Sequence, residues 1–185
     1  MADMTDVLLK IKYRKGGELH DDDLLEDIDM YDAISDMGVN GIDYQSEKNL
    51  ILRTNAMNYY PLSYEKENKL RDYLFEISRE KGIEEIYIIF CEYSYALDVI
   101  RYGIIHIDVR NTQAKIDIKK EENYTKVFKE MMDKSYPDLK SKYGNFLDGL
   151  LEDEAEYRFE EKMDRIMGKY AMTEFKKFLK TVKFD

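Results

Sequence analysis

Two carboxylates and a lysine stand on one side of an alternating stretch: Asp108, Asp117 and Lys119. Ile105, Ile107 and Val109 alternate with His106, Asp108 and Arg110. After a turn near Asn111-Thr112, Ala114, Ile116 and Ile118 alternate with Lys115, Asp117 and Lys119. Period-two alternation marks strands, so this stretch predicts a hairpin with one apolar and one polar side. Mg²⁺ chemistry needs carboxylates that converge and leave room for water. The alternative is a solvated strand face on which acids and lysines pair across the strands.

The order Asp108…Asp117-Ile118-Lys119 loosely resembles the Asp…(Asp/Glu)-x-Lys arrangement of restriction-type nucleases, a match of three residues. That resemblance implies that Asp108 and Asp117 would hold Mg²⁺ and that Lys119 would position or activate the attacking water. A Mg²⁺-dependent nuclease with catalytic Asp108, Asp117 and Lys119 is therefore the alternative function. The residues by themselves favour the solvated face.

Other chemistries find less footing. Cys91 is the only cysteine and lies in the apolar run Ile86 to Cys91, where a buried small hydrophobe is expected. His20 and His106 cannot build a three-histidine metal site. An EF-hand loop starting at Asp27 would need an acid at position 5, Gly at 6 and Glu at 12, but Tyr31, Asp32 and Gly38 stand there. Phosphate-cradling glycine motifs and the Gly-x-Ser-x-Gly elbow are missing, so no cofactor and no metal is expected. No apolar run approaches a membrane span, and the N-terminus lacks a secretory pattern, so a reducing, cytoplasmic setting is expected.

The charge is the strongest signal. The chain has 39 acids against 29 Lys and Arg, a net charge of −10. From Glu18 to Glu47 there are 11 acids and no Lys or Arg; the rest carries 39 − 11 = 28 acids against 29 bases. One segment thus holds the whole excess. Asp21, Asp22 and Asp23 offer an N-cap and an acidic first turn, and Leu24, Ile28, Tyr31 and Ile34 follow at helical spacing up to Gly38. Acids four apart on such a helix lie about 6 Å apart along the axis and repel. Asp21, Asp22, Asp23, Glu26, Asp27, Asp29, Asp32 and Asp36 would make a concentrated negative face. A solvated helix that keeps the protein soluble is the plainer reading. Direct nucleic-acid binding is disfavoured by the acidic balance.

Around these residues the periodicity sets the elements. Residues 6–14 alternate as a strand, Gly16-Gly17 turns the chain, and 39–44 and 50–54 read as strands. Leu70, Tyr73, Leu74 and Ile77 predict a helix closed by Gly82. Ile86 to Cys91 predicts an interior strand, and residues 94–102 a short helix. From about 123 the pattern is helical to the end, with Gly144, Gly149 and Gly168 as expected breaks. The class is α+β: a mainly antiparallel sheet with helices on one face, in ferredoxin-like or duplicated βαββα order. Residues 1–120 read as the α+β domain and 121–185 as a helical C-terminal extension, packed on it or pairing two copies as a homodimer.

These features predict a non-catalytic acidic inhibitor that occupies a basic, nucleic-acid-binding surface on a partner protein. A nuclease or CRISPR effector is such a partner, by analogy with phage anti-defence and immunity proteins.

Overall fold

The computed structural model of the chain describes residues 5–20, 42–45, 51–57, 69–95, 97–135, 137, 141 and 153–184. Its strands are β1 (Thr5–Lys15), β2 (Glu18–His20), β3 (Ile42–Gln45), β4 (Ile51–Met57), β5 (Ile83–Ser94), β6 (Val99–Asp108) and β7 (Gln113–Asn123). The helices are α1 (Lys69–Lys81), α2 (Tyr124–Ser135) and α3 (Asp153–Leu179). The strands form one sheet in the order β3-β4-β1-β5-β6-β7, every pairing antiparallel, with β2 beside the end of β1. The fold is therefore α+β, as the periodicity predicts. The helix expected over 21–38, on which a ferredoxin-like order turns, lies outside the described residues, as does the apolar stripe from Leu139 to Leu151.

Successive side chains on a strand point to opposite faces, and here both faces are apolar. On one face Val7, Tyr13, Ile86, Ile88, Phe90, Ile105 and Ile107 pack with Leu74 and Phe75 of α1. On the other, Leu8, Ile89, Cys91, Tyr93 and Ile100 pack with Tyr124, Phe128 and Met132 of α2 and with Phe159, Met163, Met167 and Phe175 of α3. The expectation of helices on one face holds for α2 and α3. It fails for α1, which covers the opposite face. The reason is visible in β5: the continuous run Ile86 to Cys91 gives each face an apolar row, and each row needs a cover.

Two local expectations change. Residues 94–102 are a tight connection followed by β6, because Ser94 pairs with Val99. Asp98 takes a positive φ of 52°, and its amide donates to the carbonyl of Tyr95 at 3.0 Å. The duplicated order thus loses its internal helix. Gly168 lies inside α3 instead of breaking it. A Cβ there would approach the Tyr93 hydroxyl at 3.2 Å, so the missing side chain lets the helix sit close to β5. The Gly16-Gly17 turn is as expected: φ values of 61° and 84° suit a two-residue hairpin joining Lys15 to Glu18.

Candidate functional site

The eleven-acid segment leaves the described sheet at His20 and re-enters it at Ile42. β2 pairs with β1 on the side away from β5, and β3 is the outermost strand beyond β4. Both ends of the segment are therefore anchored along one border of the sheet. Asp21, Asp22, Asp23, Glu26, Asp27, Asp29, Asp32 and Asp36 all lie outside the described residues.

The hairpin is described in full. β6 and β7 pair with Ile107 opposite Ala114, Ile105 opposite Ile116 and His106 opposite Lys115. Asp108 sits opposite Gln113 and Asp117 opposite Ile104, four positions further along. At about 3.4 Å per residue that separates them by roughly 14 Å along the strand, so the structure does not bring the two carboxylates together. Each has a local partner. Asp108 accepts from the Asn111 amide at 3.0 Å and from Asn111 Nδ2 at 2.8 Å, which holds its carboxyl below the ordinary carboxylate range. Asp117 pairs with Lys119 on its own strand. Among the described residues no group of three or more His, Cys, Asp and Glu is placed to hold a metal ion.

A cluster that the sequence reading did not single out lies at the polar end of the α2–α3 face. Glu85 Oε2 accepts from Arg14 Nε and from the Tyr87 hydroxyl, each at 3.0 Å, and Glu85 Oε1 lies 3.2 Å from His106 Nε2. The Tyr87 and His106 rings stack 4.7 Å apart. Partial burial works against the charge on Glu85, but the hydrogen bonds from Tyr87, Arg14 and His106 outweigh it and keep the carboxyl low. Phe184, from the chain that follows α3, sets its ring edge against Tyr87 at 4.9 Å, and Lys12 Nζ lies 5.5 Å from the Phe184 ring. Each polar group here is engaged by another, so the arrangement joins β1, β5 and β6 and fastens the C-terminal segment over them. Register is what assembles it: Arg14 faces Glu85, and Tyr87 faces His106. Neither pairing can be read from spacing along the chain.

Two more groups are fixed by their surroundings. Cys91 is fully buried on β5, its thiol pushed up to about 12 by burial and by the negative charges of Glu92 and Glu174, and it packs as core against α3. Asp98 accepts from the Thr125 amide at 2.7 Å and so caps α2, alongside Asn123, which accepts from the Lys126 amide at 2.7 Å. Partial burial opposes the charge on Asp98, but the bonds from Thr125 and Asn123 win and lower its carboxyl. Of the tyrosines weighed as contact surface, Tyr93 is buried, Tyr102 is partly buried and Tyr95 is exposed, while Tyr59 and Tyr60 lie outside the described residues. Among the described residues no helix is long and apolar enough to cross a membrane. Comparison with protein-family models, curated proteins and solved structures finds no match to this chain.

Proposed function

We propose that this chain is a non-catalytic binding protein whose acidic segment occupies a basic, nucleic-acid-binding surface of a partner protein, as phage anti-defence inhibitors and immunity proteins do. The observation that carries the proposal is the segregation of charge: 11 acids and no Lys or Arg between Glu18 and Glu47, against a near balance elsewhere. Like charges packed this closely repel one another, and lysines that could offset them are plentiful in the rest of the chain. A partner lined with Lys and Arg for phosphate supplies the missing countercharge. Such matching speeds encounter and fixes orientation. The anchoring of both ends of the segment along one sheet border supports its presentation as a unit. A reducing, cytoplasmic setting belongs to the same reading, with the lone cysteine packed as core.

The test is capture of a partner from the native host, repeated with Asp22, Glu26 and Asp29 changed to Lys. Wild type should capture a protein with a basic groove, lose it as salt is raised, and lose it to competing duplex DNA. The triple variant should fold normally by circular dichroism and capture at least tenfold less. Equal capture by the folded variant, or indifference to DNA, would overturn the proposal.

A further inference from the structure

The border of the sheet opposite the acidic segment is β7, which among the described residues pairs with β6 alone. It is an 11-residue edge strand with an isoleucine in its middle, and that Ile118 is 45% exposed. Long edge strands offer unpaired backbone groups to another chain and are usually shielded. Here the charges are arranged to select one pairing. We infer that β7 pairs antiparallel with β7 of a second copy about a two-fold axis at Ile118, extending the sheet across two chains.

The argument is one of register. In an antiparallel pair about a perpendicular two-fold, a residue faces its mirror position, and only registers that keep side chains on the same face are allowed. Centring on Ile118, the midpoint of Gln113–Asn123, overlaps the whole strand. It sets Asp117 against the second copy's Lys119, and Lys119 against its Asp117. Lys119 is the extra residue of the irregularity in β7 and has no partner on β6. The two exposed isoleucines meet at the axis. Shifting the centre to Asp117 would set Asp117 against Asp117 and Lys115 against Lys119. Shifting it to Lys119 would set Lys119 against Lys119. Like charges directly opposite are destabilising. One register thus has opposite charges and full overlap, and both of its neighbours have like charges. Within a single chain Asp117 and Lys119 pair with each other, about half exposed, so they are free to exchange that contact for the partner's. The apolar residues of α3 named above are already packed on its own sheet.

Sedimentation across a range of concentrations tests the inference. Wild type should show a reversible, concentration-dependent dimer. Asp117→Lys and Lys119→Asp should each weaken it roughly tenfold by creating two like-charge pairs. The double variant should restore it, and an equimolar mixture of the two single variants should form the heterodimer. Ile118→Cys should give an oxidised, disulfide-linked dimer, since directly opposite residues lie within disulfide reach. A wild type that is monomeric throughout, a dimer indifferent to both charge reversals, or a mixture that does not associate would overturn it.

Discussion

Glu92 is fully buried on β5, directly across from Arg101 on β6, whose Nε donates to its Oε2 at 2.6 Å. Its other oxygen has no hydrogen-bond partner among the described residues. A buried ion pair gains little over a well-packed apolar pair, but removing one partner leaves an uncompensated charge. Arg101→Ala should therefore cost about 3 kcal/mol in urea denaturation, and Glu92→Leu combined with Arg101→Leu should cost much less. Burial raises the Glu92 carboxyl above its ordinary 4.5, with Arg101 opposing. The folded state then takes up this proton more readily than the unfolded state. The group's contribution is most favourable below the unfolded value and is lost as pH rises through the folded one. The stability of wild type relative to Glu92→Gln should fall as pH rises from the usual carboxylate range towards neutrality; a difference that is flat with pH would refute the raised carboxyl. Little of this was legible in the sequence, where Glu92 stands at the end of an apolar run. Its depth and its partner both follow from register. Cys91 was legible, because an apolar neighbourhood predicts burial without any partner having to be known.

The β6–β7 hairpin was legible as an element, since alternation on both strands survives in the structure almost residue for residue. What the alternation could not convey is the irregularity between Tyr102 and Gly103. There the β7 backbone runs so close that a Cβ on Gly103 would collide with the carbonyl oxygen of Asp117 and lie 3.0 Å from Ile118 Cα. Backbone cannot yield as a flexible side chain can, so Gly103→Ala should destabilise by more than about 2 kcal/mol. Hydrogen exchange should report the loss first in β7. A variant as stable as wild type would mean that the two strands can part at little cost. The segment 94–102 was misread for a related reason. Leu97 and Ile100 are spaced as on a helix, and short apolar stretches do not separate helix from strand by period alone. The turn that decides the matter rests on Asp98 at positive φ, where aspartate gives only a weak signal.

At the scale of the whole molecule, the sheet has two borders of different character. One anchors an acidic segment with no internal countercharge, and the other is a strand whose charges are complementary to themselves. If the first is as uncompensated in space as in sequence, the chain repels itself at low ionic strength. Salt shortens the reach of that repulsion, to about 10 Å at 0.1 M. Thermal stability should therefore rise as NaCl goes from about 0.01 M to 0.2 M, where each exposed pair is also being screened. Reversing Asp22, Glu26 and Asp29 to Lys takes the net charge from −10 to −10 + 6 = −4 and should remove most of that gain. Lysines from elsewhere in the fold, if they already neutralise the segment, predict the opposite: salt would weaken those contacts, wild type would lose stability as it is added, and the triple variant would start out less stable. The sign of the salt response thus separates a segment held ready for a basic partner from one already paired within its own chain, and it does so before any partner is known.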